Sequence, residues 1–133
     1  METKAGSLAC LLIIDMINEF TFPDAEQMFP GVIAIADQIA ELKGRIKAAG
    51  LPAIYVNDNI GQWRSNLPLL VEQCCATDCK GRAVVERVGP ERDDYVILKP
   101  RHSGFFSTPL ELLLRSLHTR RLILWRVTKY TVL

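Results

Sequence analysis

Seven consecutive uncharged residues, Leu8-Ala9-Cys10-Leu11-Leu12-Ile13-Ile14, run straight into Asp15. An unbroken apolar run of strand length, without polar alternation, suits a strand covered on both faces in the middle of a parallel sheet. Asp15 then stands where that strand leaves the sheet. Ligands of open α/β sheets bind at the carboxyl ends of the strands, which would put this carboxylate in a place for chemistry. A carboxylate that merely caps the following turn fits the stretch equally well. The other strands decide between the two.

The chain has 133 residues, 49% of them hydrophobic, enough for the core of one domain over residues 1–133. A net charge of +1 with both signs interspersed gives no electrostatic footprint for nucleic acid. The residues Met1 to Ser7 are polar and the apolar run behind them is short and ends in acids. That is neither a signal peptide nor a membrane span, so a cytoplasmic location and no membrane partner are expected. In a reducing compartment the four cysteines, Cys10, Cys74, Cys75 and Cys79, should be free thiols. Cys10 belongs to the central strand. The other three cluster, but the only histidines are His102 and His118, too few and badly spaced for a zinc site. Helix packing accounts for them better, and no metal or other cofactor is expected.

After the first strand, Phe22-Pro23 and Phe29-Pro30-Gly31 read as turn-forming loop. Val32, Ile35, Ala36, Ile39, Leu42 and Ile46 recur at helical spacing up to Ala49, with Asp37, Glu41, Lys43, Arg45 and Lys47 on the wet side. Gly50 caps that helix and Pro52 stops it. A second strand follows at Ala53 to Asn57, then a helix near Leu67 to Cys75. Residues 77–92 read mostly as loop, with a short extended piece at Ala83-Val84-Val85. Tyr95 to Leu98 is a third strand ending at Lys99. Thr108-Pro109-Leu110-Glu111 is a capping signal for a helix buried through Leu110, Leu113, Leu114 and Leu117. Arg121 to Trp125 is a fourth strand. Strands joined by long helical crossovers are parallel, so Asp15, Asn57-Asp58 and Lys99 fall on one rim of the sheet. An ammonium beside a carboxylate in such a crevice is either a structural ion pair or part of an acid–base site.

Three segments carry a family resemblance. They are Leu11 to Met16, Tyr55 to Trp63, and Leu98 to Leu110, which reads LKPRHSGFFSTPL. Together they resemble the isochorismatase-like cysteine hydrolases, a family that includes nicotinamidases and carbamoylsarcosine amidohydrolases. The resemblance implies a three-layer α/β/α sandwich with a mostly parallel, Rossmann-like sheet. It implies an Asp, Lys, Cys mechanism on a small amide, carbamoyl or vinyl-ether substrate, with Asp15 as general base and Lys99 holding it. Phe20, Trp63 and Phe105 each fit core packing better when taken singly, but as a group near the strand ends they suit the walls of a small-molecule pocket. Arg101 either holds a substrate carboxylate or decorates the surface, and Asn57 at the rim is a further candidate for substrate contact. The Asp-x-His metal motif of nicotinamidases is missing, since Asp58 is followed by Asn59 and Ile60.

One departure bears on activity. Where the family runs into its nucleophilic cysteine, this chain reads Trp125-Arg126-Val127-Thr128-Lys129-Tyr130-Thr131. Allowing one deletion, Thr131 takes the cysteine's place and Arg126 that of a glycine. A threonine hydroxyl is a far weaker nucleophile than a thiolate, so turnover is expected to be impaired. The alternative is a catalytically inactive relative that binds a small molecule or serves in an oligomeric assembly. The family's sheet continues past this point, so the domain is expected to be incomplete at its C-terminus. A bare edge at Leu122-Ile123-Leu124 would then favour a homo-oligomer. A flavodoxin-like or nucleotide-binding domain fits less well, because no glycine-rich loop follows the first strand.

Overall fold

The computed structural model describes residues 9–18, 20, 24–58, 67–75, 79–99, 105 and 108–126. Four strands and four helices alternate: β1 (Ala9–Ile14), α1 (Ala25–Ala48), β2 (Ala53–Asp58), α2 (Leu67–Cys74), α3 (Gly81–Val88), β3 (Tyr95–Lys99), α4 (Leu110–Ser116) and β4 (Arg121–Arg126). All strand pairs are parallel, in the order β3-β2-β1-β4. The apolar run Leu8 to Ile14 thus supplies an interior strand, paired with β2 on one side and β4 on the other.

Alternation along the strands divides the core into two layers. Leu11 and Ile13 of β1 with Ala53 and Tyr55 of β2 pack against α1 and α3, together with Cys74 of α2. Cys10, Leu12, Ile54, Val56 and Ile97 face the other way and pack on Leu110 and Leu117 of α4. The result is the expected three-layer α/β/α sandwich. All four cysteines are free thiols, and burial pushes Cys10 up to about 12. No helix among the described residues is long and apolar enough to cross a membrane.

Helix α1 starts earlier than the spacing predicts. Phe29-Pro30-Gly31, read as loop, lies inside it. Proline in a helix interior removes one hydrogen bond and crowds the preceding turn, but contacts of the first turns outweigh that cost. Ala25 is buried, the Phe29 ring meets Phe20 edge-to-face at 6.0 Å, and the Lys80 ammonium sits over Phe29 at 6.0 Å. The C-terminus follows expectation. Gly50 takes a φ of 76°, its N–H donates to Lys47 and that of Leu51 to Ile46, the paired bonds of a Schellman cap.

Two further expectations fail. Residues 81–88, read as loop with an extended piece, form the helix α3. Gly81, Val84 and Val88 are its buried residues, spaced as one helical face, and they pack in the α1 layer. Lys43, assigned to the wet side of α1, is buried. It falls on the stripe of Val32, Ala36, Ile39 and Ile46, so the helical period was the better guide than its charge. Its ammonium donates to the Tyr55 hydroxyl (2.9 Å) and pairs with the buried Asp94 carboxylate. The Tyr55 hydroxyl in turn donates to the Val88 carbonyl at 2.7 Å.

Lys47 adds bonds to Glu91 (2.8 Å), Asp93 (2.7 Å) and Asp94 (3.1 Å). This network ties the end of α1 to the junction before β3. Hydrogen bonds from Lys47 hold the Glu91 and Asp93 carboxyls below their usual range, with the Lys43 charge helping. Depressed carboxylates stabilise the fold above their unfolded values, and that share is lost as pH falls through the folded ones. Asp94→Asn removes the buried carboxylate of the Lys43 ammonium and leaves it the exposed Glu91 at 3.5 Å. It is expected to destabilise the protein by about 3 kcal/mol, measured by urea unfolding at neutral pH.

Candidate functional site at the carboxyl rim of the sheet

Because the strands are parallel, their carboxyl ends share one rim, and two charged side chains meet there. Lys99 closes β3 and Asp15 follows β1. Lys99 Nζ lies 3.1 Å from Asp15 Oδ1, with the lysine side chain 1% and the aspartate 12% exposed. The expectation of an ammonium beside a carboxylate takes the two strands as neighbours. In the fold β2 lies between them, so the lysine reaches over the end of β2 to the aspartate. A four-carbon stem on a flexible side chain makes that span. Lys99 falls on the same sheet face as Ile97, toward the α4 layer.

Asp15 leaves the strand abruptly. Its N–H still donates to the Val56 carbonyl at 2.9 Å, as a last rung of the β1–β2 ladder. Its φ is then 56°, the left-handed region that aspartate tolerates better than most residues. Phe20 also has a φ of 56°, unusual for a bulky side chain. Its N–H donates to Asn18 Oδ1 at 2.7 Å, and its buried ring packs on Phe29. Backbone strain of this kind persists where the surroundings enforce it.

The loop between these residues is held from two further sides. Asn57 Oδ1 accepts from the Ile17 N–H at 3.1 Å, and Asn57 Nδ2 donates to the Ile17 carbonyl at 2.8 Å. Helix α3 closes the outer side. A Cβ added at Gly81 would collide with the Asn18 carbonyl oxygen, so this approach requires glycine.

The expected site residues therefore separate. Asp15, Asn57 and Lys99 stand at the rim. Asn57 turns its amide to the Ile17 backbone, and Phe20 is a core residue. Phe105 is exposed. Trp63, Arg101 and Thr131 lie outside the described residues. Among the described residues no three His, Cys, Asp or Glu side chains are grouped to hold a metal. Asn18, Gly81 and the backbone role of Asn57 were not apparent from the sequence. The nearest signal was the bulky stretch Met16 to Phe20, whose apolar members Met16, Ile17 and Phe20 are buried.

Removing one partner of a buried ion pair leaves the other charge uncompensated. Asp15→Asn is expected to destabilise the protein by roughly 3 kcal/mol. Adding Lys99→Met should recover a measurable part of that loss, as a double-mutant cycle in urea unfolding would show.

A family model described as the isochorismatase domain matches residues 9–125. An uncharacterized isochorismatase family protein of Bacillus subtilis (strain 168), YaaI, is 33% identical over 114 residues, 86% of this chain and 62% of the relative. A maleamate amidohydrolase of Pseudomonas putida is 28% identical over 119 residues, 84% of this chain and 55% of the relative. The crystal structure of N-carbamoylsarcosine amidase from Thermoplasma acidophilum superposes with a TM-score of 0.54 at 25% identity, covering 88% of this chain and 66% of that one. The chain thus spans between 55% and 66% of the length of these three proteins. A domain match over nearly all of the described strands and helices, on a parallel sheet of the same fold, makes this chain a member of the isochorismatase family.

Proposed function

We propose that this chain carries the acid–base part of a site that hydrolyses a small amide, carbamoyl or vinyl-ether substrate. The observation behind this is the Asp15–Lys99 pair at 3.1 Å on the carboxyl rim. Two relatives named as an amidohydrolase and an amidase support the amide class.

In this reading Asp15 accepts the proton of a nucleophile, and Lys99 keeps the carboxylate oriented and balances its charge. On an amide or carbamoyl substrate the nucleophile adds to the carbonyl carbon. Collapse of the tetrahedral adduct breaks the C–N bond, and the leaving amine takes the proton from Asp15. Water, deprotonated by the same carboxylate, then cleaves the acyl-enzyme and restores the nucleophile. Thr131 takes the nucleophile's place in the sequence. Its hydroxyl is much harder to activate than a thiol, so turnover by the chain as it stands is weak.

A second reading rests on β4. This strand ends the sheet order of the described residues, and its Leu122 and Leu124 are 40% and 59% exposed. An apolar sheet edge is a template for pairing with another chain. In that case the chain is an assembly module in which the rim is kept without efficient chemistry.

Each reading has its own test. Thr131→Cys is expected to raise hydrolysis of a panel of small amides and to add a site for a thiol-reactive probe. Asp15→Ala or Lys99→Ala should abolish that gain. Activity of the unmodified chain that survives both alanine substitutions would place the chemistry elsewhere. For assembly, sedimentation should show species larger than the 15.0 kDa chain, shifted toward monomer by Leu124→Lys. A monodisperse monomer of the unmodified chain refutes it.

A further inference from the structure

Asn57, the last residue but one of β2, has its side chain buried, 3% exposed, and directs both amide atoms at one neighbour. The N–H and the carbonyl of Ile17 are the partners, at 3.1 Å and 2.8 Å. Ile17 is itself buried, so water cannot replace these bonds, and its backbone groups need partners of both kinds. An amide side chain supplies one acceptor and one donor together. A carboxylate supplies acceptors only, and an aliphatic side chain neither.

Neighbouring residues of β2 thus grip the chain at two points on either side of Met16. The Val56 carbonyl holds the Asp15 N–H at 2.9 Å, and the Asn57 side chain holds Ile17. Between these points the backbone turns through the left-handed conformation of Asp15 (φ 56°). That turn sets the direction in which the Asp15 carboxylate leaves the strand and meets Lys99 Nζ at 3.1 Å. The Asn57 clamp carries the hold of β2 past the turn, to Ile17.

We propose that Asn57 is a positioning residue: by clamping the Ile17 backbone it fixes the orientation in which Asp15 meets Lys99. Its part in turnover rests on the hydrolase reading above, whereas the clamp itself does not. It touches no reacting atom.

The experiment follows the Asp15 carboxyl carbon by NMR across a pH titration, with Asp15→Asn assigning the signal. Asn57→Ala should move the midpoint in the direction that Lys99→Met moves it. Tyr55→Phe serves as the control. It lies two residues earlier on the same face of β2 and loses the hydrogen bond to the Val88 carbonyl, so it should lower stability and leave the midpoint in place. In the Thr131→Cys protein, Asn57→Ala should lower kcat roughly tenfold or more, with KM changed by less than about twofold.

An unmoved midpoint, or a rise in KM at constant kcat, overturns the proposal in favour of packing or of substrate contact. Absence of turnover in the Thr131→Cys protein sinks the hydrolase reading alone, and the titration still decides the clamp. Should Asn57→Ala not fold, Asn57→Ser, whose hydroxyl is too short to reach both Ile17 groups, carries the same titration with the same two outcomes.

Discussion

A lysine at the end of β3 reaches across the end of β2 to an aspartate beyond β1, and this is possible only if β3 and β1 run the same way. The Asp15–Lys99 pair is therefore a statement about topology as much as about charge. Were β3 antiparallel to β1, Lys99 would lie at the opposite rim. The helical crossovers that make the strands parallel also cover both faces of the sheet. Burial then makes the pair matter, since two charges at 3.1 Å in contact with water would be worth little.

The same economy of polar groups recurs at the other end of the α1 layer. Lys43, Tyr55 and Asp94 are buried together and satisfied by one another and by the Val88 carbonyl. They join α1, β2 and the approach to β3, so the strand that ends in Lys99 is anchored where it begins. Buried polar contacts of this kind are expensive when incomplete and specific when complete. They allow a small domain to hold one loop geometry instead of many.

How much of this was legible depended on the range of the signal. The four strands, their parallel direction and the shared rim were readable from apolar runs separated by helical spacing, because each strand carries its own pattern; the order that puts β2 between β1 and β3 was not. The meeting of Asp15 and Lys99 followed from that topology. Helix α3 was not readable as a helix, since Gly81, Val84 and Val88 give one short apolar face among charged residues, and a strand-like Ala83-Val84-Val85 competes with it. The first turns of α1 were hidden by Pro30, whose cost is met by contacts with Phe20 and Lys80, remote in sequence. Asn57 was placed at the rim by the end of its strand, which says nothing of where its amide turns. That it turns to the Ile17 backbone depends on a loop conformation with positive φ at both ends, at Asp15 and Phe20, which no local pattern announces.

Strand β2 has one more property, which concerns how the sheet finds its alignment. Tyr55 and Asn57 lie two residues apart on one face of the strand, and each has its own receptor, the Val88 carbonyl and the Ile17 backbone. A slip of β2 by one residue would turn the phenol and the amide into the apolar layer under α4. A slip by two would keep the faces but carry both groups roughly 6–7 Å away from their receptors. Each misalignment thus strands two hydrogen-bonding groups at once in a dry interior. Mispaired sheets are thereby rejected by a double lock built from two side chains, well before the rim has any ligand to bind.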